Sequence, residues 1–212
     1  MNDDPNKIPA DSADQEVSYT GGAPGGIKII AFKEVKPGDL RKFLAQSNDA
    51  DTGGGARDLR FRPHDKFAPI FARMFPDVEQ GTGRRGKQTV QVDFQVGRVH
   101  YPVNGKAVSQ RAEYWPPTDA RPGEGRWAKV YAYAPFKAAI PEDEGRIIVL
   151  LVQNTSNEVW LYIRTEQDIR SGGWHQAVVD AIFNCVDAKR DERRSSQGYI
   201  DFERSVRYCN AG

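Results

Sequence analysis

The stretch Asn48 to Pro63, NDADTGGGARDLRFRP, sets a polar triple-glycine loop directly before Arg57, Arg60 and Arg62. Glycines take positive φ and let a backbone approach a partner closely. Guanidinium groups beside such a loop suit phosphate oxygens or guanine edges. A second candidate is EGRWAK, Glu124 to Lys129. There Arg126 has the chemistry to pair bidentately with guanine, and Glu124 to accept from a cytosine amino group. Its bland reading is a hairpin connection carrying ordinary solubility charges. A third stretch, GTGRRGKQ (Gly81 to Gln88), imitates a phosphate loop, but Gln88 stands where a magnesium-holding Ser or Thr belongs. An alternating strand follows it rather than a helix, so nucleotide hydrolysis is disfavoured. The stretch is expected to be a basic loop whose Arg84, Arg85 and Lys87 meet nucleic-acid backbone.

Catalytic constellations are weaker. His64, His100 and His175 lie far apart without metal-ligand spacing, and no GxSxG elbow occurs. Asp77 with the triplet Asp187-Ala188-Lys189 has the residue types of a metal-dependent nuclease, but the triplet falls at the end of an expected helix. It is also more than a hundred residues from Asp77. The sequence therefore predicts no catalytic residues, no metal and no cofactor, with that nuclease as one alternative. A small-ligand or protein-interaction barrel is the other.

Charge is unevenly spread over the 212 residues, although the formal net charge is +1. Residues 1–26 carry five acidic groups and one lysine, whereas residues 57–130 carry fourteen Lys/Arg against eight Asp/Glu. A basic middle behind an acidic head fits a phosphate-binding surface. A solvated surface with uneven counting explains it equally well. No apolar run of spanning length is present, so no membrane partner is expected. The polar start lacks an apolar signal core. Cys185 and Cys209 show no zinc-like spacing and are too few for a disulfide framework, which predicts a reducing, cytoplasmic home.

The elements that must position these residues follow from periodicity. Residues 1–26 read as a disordered acidic head. IKIIAF from Ile27 reads as a strand, and Asp39 as the cap of a helix LRKFLAQ. LRFRP reads as a strand ended by Pro63. Phe67, Ile70, Phe71 and Met74 share one face of a helix that Asp65 is placed to cap. TVQVDFQV alternates from Thr89, and strands are expected at Arg98–Pro102, Ser109–Trp115, Trp127–Tyr133, Gly145–Gln153 and Val159–Arg164. IIVLLV is apolar on both faces and predicts the most buried strand. Asn154 to Glu158 reads as a hairpin turn. Trp174 to Ala188 predicts a helix with Val178, Ile182 and Cys185 inward, and the tail is left as a helix or a strand. Together these give an α+β fold, a mixed β-barrel with two or three flanking helices. The expected divisions are a head (1–26), a barrel (27–165) and a helical extension (166–212).

In order, the pieces resemble the N-terminal effector domain of EcoRII-type restriction endonucleases, a DNA-binding pseudobarrel. The family's opening leucine, Asn-Asp pair, Gly-rich turn and proline-ended strand are matched by Leu44, Asn48, Asp49, Gly53, Gly54 and Pro63. Its Arg-Ala-x-Tyr-aromatic motif is matched by Arg111, Ala112, Tyr114 and Trp115, and its Glu-x-Arg-x-x-Arg by Glu124, Arg126 and Lys129. The apolar strand, turn and Trp-containing strand from Ile147 to Trp160 follow in the same order. Two departures stand out: the family's Gly-His-Gln is Gly55-Ala56-Arg57 here, and a family lysine is Gly125. The resemblance covers residues 27–165. It implies two arms gripping duplex DNA from the major groove, one at residues 48–60 (with Thr52 in the turn) and one at 124–129. It assigns base reading to residues such as Arg57, Glu124 and Arg126. It assigns contact with the DNA backbone to neighbouring amides and basic groups. The implied setting is restriction or phage defence, with a nuclease domain or subunit as candidate partner.

Overall fold

A computed structural model of the chain describes residues 16–18, 26–36, 58–85, 87–103, 106–130, 145–188 and 194–211. In chain order these form β1 (Glu16–Ser18), β2 (Ile27–Val35), β3 (Leu59–Phe61), α1 (His64–Met74), β4 (Asp77–Arg85), β5 (Gln88–Val103), β6 (Lys106–Trp115) and β7 (Gly125–Trp127). There follow β8 (Ile147–Asn154), β9 (Val159–Thr165), α2 (Glu166–Ser171), α3 (Gln176–Asp187), β10 (Gln197–Asp201) and β11 (Val206–Asn210). The α+β class expected from the sequence is the class observed, with three helices among the described residues. The expected helix at Asp39–Gln46 lies outside the described residues.

Two compact units divide the chain: Met1–Lys36 with Ala139–Gly212, and Pro37–Ala138. The boundaries differ from those expected at 26 and 165. Strand β10 pairs antiparallel with β2, matching Ile200 to Ile30 and Tyr199 to Ala31, so residues 166–212 belong to the body of unit one. Within the acidic head, Glu16–Ser18 pairs with β11, whose outer edge offers backbone groups that need partners.

Unit one runs β1-β11-β10-β2-β8-β9 in space, each neighbouring pair antiparallel. IIVLLV forms β8 and is buried on both faces, as its composition predicts. Ile30, Phe32, Ile148, Leu150 and Val152 on one face pack with Val178, Ile182 and Val186 of α3. The β8–β9 turn is closed by the Asn154 side chain, which accepts from the Ser156 and Glu158 backbone N–H groups at 3.0 and 2.9 Å. Helix α2 starts with a capping box. Thr165 Oγ1 accepts from Asp168 N at 3.0 Å, and Asp168 Oδ2 accepts from Thr165 N at 3.2 Å.

Cys185 on α3 and Cys209 on β11 form a disulfide, both buried against this core. This corrects the expectation of two free thiols. Residues 24 positions apart carried no spacing signal, and only the packing of α3 onto the sheet brings them together. The cysteine argument for a reducing home falls with it. Among the described residues, no helix is long and apolar enough to cross a membrane.

Unit two is built on β5, one continuous strand where two were expected. Its first half pairs with β4 and its second with β6, overlapping at Gln95 and Val96. The chain then returns through β7 to pair with β3. Helix α1 buries Phe67, Ile70, Phe71 and Met74, the face expected from their spacing. Its N-cap is Pro63 without a side-chain bond, so Asp65 serves the first turn rather than the cap. The strand expected at Trp127–Tyr133 stops at Trp127, and a turn begins at Ala128.

Unreduced protein unfolded in guanidinium should show essentially no thiol by Ellman titration, and both thiols after reduction. Cys209→Ser should cost roughly 2–4 kcal/mol in denaturant unfolding. Full thiol reactivity before reduction would contradict the pairing.

Candidate nucleic-acid interface

The short strands β3, β7 and β6 form a ladder whose alternation sorts side chains onto two faces. Leu59 pairs with Trp127, Arg60 with Arg126 and Phe61 with Gly125, while Tyr114 and Trp115 of β6 pair with Trp127 and Arg126. Leu59, Phe61, Tyr114 and Trp127 are buried. The Phe71 ring of α1 stacks on Tyr114 at 4.0 Å and meets Phe61 edge-on at 4.9 Å. Arg60, Arg126 and Trp115 form a cross-strand row on the other, half-buried face.

That second face carries a continuous set of charges. Arg126 lies 5.2 Å from the Trp115 ring and 3.3 Å from Asp58 Oδ2, and Asp58 Oδ1 accepts from Lys129 N at 3.0 Å. Glu124 sits between Arg60 and Arg62 at 3.9 and 3.8 Å. Arg111 makes a two-pronged pair with Glu79 at 2.9 and 2.7 Å and reaches Glu113 at 3.1 Å. Lys129 Nζ is 3.6 Å from Glu113. Burial alone would raise the Glu113 carboxyl. Hydrogen bonds from Trp115 and Arg111, with the charges of Lys129 and Arg111, hold it below its ordinary value. The Arg111 hydrogen bond likewise lowers Glu79.

These cations are therefore compensated, not bare. The Arg111–Glu79 pair, half-exposed on both sides, is of the kind worth about 0–1 kcal/mol. Two buried polar atoms on this face, Glu124 Oε2 and Arg126 Nε, have no hydrogen-bond partner among the described residues. Such buried atoms cost about 1–3 kcal/mol each when unsatisfied, although Glu124 Oε2 keeps the charge of Arg60 at 3.9 Å.

Of the residues predicted from sequence, Arg60, Arg111, Glu124, Arg126 and Lys129 come together on this face. Tyr114 does not. It is 2 % exposed, and burial holds its phenol far above the ordinary range, so its work is packing rather than DNA contact. Arg84 and Arg85 close β4, opposite Thr89 and Gln88, and Lys87 is exposed at the turn. The expected loop from Gly81 is therefore mostly strand. Gly81 lies beneath the stacked Phe94 and Trp115 rings, where a Cβ would come within 2.9 Å of Phe94 and closer to Trp115. Its glycine serves ring packing rather than phosphate binding. Asn48, Asp49, Thr52, Gly53, Gly54 and Arg57 lie outside the described residues.

Asp58, which joins β3 to the segment after β7, was not foreseen. The period of two in DLRFR puts Asp58, Arg60 and Arg62 on one face, a signal available in the sequence. Asp77 begins β4, while Asp187 in unit one is held by Arg146 and Arg170. Lys189 lies outside the described residues. Among the described residues, no group of three or more potential metal ligands occurs.

No protein-family model matches this chain, and no curated protein matches it either.

Gly125 replaces a lysine of the resembled family, and its surroundings explain the glycine. A Cβ there would overlap the Tyr114 hydroxyl and lie 2.7 Å from His64 Nδ1. Gly125→Ala should destabilise unit two by about 1–3 kcal/mol in denaturant unfolding; an unchanged midpoint would contradict the packing. His64 Nδ1 is 3.3 Å from the Tyr114 hydroxyl, and burial lowers its pKa from 6.5 against an upward pull from Asp65. The folded state thus favours neutral imidazole, so its contribution is present above pH 6.5 and is lost as pH falls through the depressed value. Unfolding midpoints measured between pH 7 and 5 should decline, and His64→Gln should flatten that decline.

Proposed function

We propose that this chain is a sequence-specific double-stranded DNA-binding domain that reads the major groove with two arms. One arm leads into β3 and the other passes through Glu124 to Lys129. The observation that carries this reading is the Arg60–Arg126–Trp115 row, flanked by Glu124 between Arg60 and Arg62. Adjacent strands root both arms, so Arg60 and Arg126 sit side by side rather than on separate surfaces. Arg126 donates to guanine after exchanging Asp58, and Glu124 accepts from a cytosine amino group. Arg111, Lys129 and Lys87 supply phosphate contacts, which make affinity fall with salt.

The resemblance extends this reading to restriction or phage defence, with a nuclease domain or subunit supplying any cleavage. A cytoplasmic location goes with it, and burial shields the Cys185–Cys209 pair from reductants there.

Selection from a randomised duplex pool, followed by fluorescence anisotropy at two salt concentrations, tests the reading. A preferred sequence should emerge, and its binding should weaken as salt rises. Arg126→Ala should lose about 1–3 kcal/mol on the selected duplex and little on random duplex. Lys87→Ala should weaken both alike and lessen the salt slope by about one. Equal losses on both duplexes for Arg126→Ala would refute base reading.

A further inference from the structure

Unit one carries a cavity of about 510 Å³ lined by Ile27, Tyr162, Arg164, Trp174 and His175, with Gly172 and Gly173. That volume lies within the range of small-molecule sites, roughly 300–1,000 Å³. Tyr162 and Arg164 are two apart on β9 and share its half-exposed face. The segment between α2 and α3 brings Trp174 edge-on to Tyr162, with centroids 5.3 Å apart at 86°. Trp174 also packs partly against the α3 core, which fixes its ring. At Gly173, φ is +78° and open space stands where a side chain would project. The backbone thus turns there in the left-handed region.

The lining is aromatic and cationic, with no carboxylate among its residues. Arg164 lies 5.7 Å from the Tyr162 ring and donates from NH1 to the Ile163 carbonyl at 2.9 Å. Among the described residues it makes no ion pair, unlike Arg146 and Arg170 of the same unit, which share Asp187. His175 Nδ1 accepts from Ala177 N at 3.3 Å as the cap of α3, which leaves Nε2–H as the donor of its neutral ring. Two perpendicular aromatic rings, an unneutralised guanidinium and an imidazole donor complement a flat ring carrying negative charge.

We propose that this cavity binds a small planar aromatic molecule bearing an anionic group. The ring stacks on Trp174 and meets Tyr162 edge-on, and the anion pairs with Arg164 and His175. The site is distinct from the ladder of unit two and does not rest on DNA binding.

Calorimetric titration of the full chain tests it with two ring-plus-anion probes, adenosine 5′-monophosphate and salicylate. Adenosine serves as the ring alone, inorganic phosphate as the anion alone, and tetramethylammonium as a cation. Both ring-plus-anion probes should saturate one site, with adenosine and phosphate at least tenfold weaker. Arg164→Gln should erase the preference for adenosine monophosphate over adenosine, while Trp174→Phe should retain it. In unaltered protein, the Trp174 indole N–H resonance, assigned by its loss in Trp174→Phe, should shift on adding either probe. An unmoved indole, an Arg164→Gln variant that keeps the preference, or tighter binding of tetramethylammonium would each overturn the proposal.

Discussion

Register across β3, β7 and β6 decides what unit two presents to solvent. Side chains alternate along a strand, so a slip of one residue would turn Arg60 and Arg126 inward and Phe61 and Trp127 outward. The aromatic packing of α1 beneath Phe61 and Tyr114 excludes that alternative. Gly125 sharpens the constraint, because only a residue without a side chain lets the Tyr114 hydroxyl reach His64 there. The charged row is thus positioned by its apolar underside.

The same register explains why so many carboxylates stand among the cations. Arginines on neighbouring strands repel across a ladder, and Asp58, Glu113 and Glu124 offset that repulsion. Such pairing stabilises the row in the free protein, with the cations partly exposed and the carboxylates of Asp58, Glu113 and Glu124 largely covered. In this arrangement Asp58 acts as a hinge pin. It holds Arg126 with one oxygen and the backbone of Lys129 with the other.

Much of this was legible where one period dominates. The α1 face, the buried β8, the Asn154 turn and the α3 face follow from spacing of apolar residues, because helix and strand repeats differ sharply. Legibility failed where tertiary contact overrode a local signal. Gly81, Gly83 and Gly86 suggested a loop, yet pairing with Val92 and Val90 extends β4 through Gly81 and Gly83. Gly97 similarly suggested a break in β5, but the bare Cα accommodates Phe75 against it. The Cys185–Cys209 bond and the placement of β10 were invisible because both depend on which distant segments meet. Of the interface, the residue types were readable. The role of Asp58 was not.

Strand β2 lies between β8 and β10, partners that come about 115 and 165 residues later along the chain. A ribosome releases Ile30 and Phe32 long before Ile200 or α3 exists to cover them. Unit two is one uninterrupted stretch, so all of its described strands have emerged while unit one still lacks four of its six. Synthesis therefore imposes an order of assembly: the interrupted unit closes last, around a strand made early. Until then its apolar edge stays uncovered, the condition under which nascent chains associate wrongly.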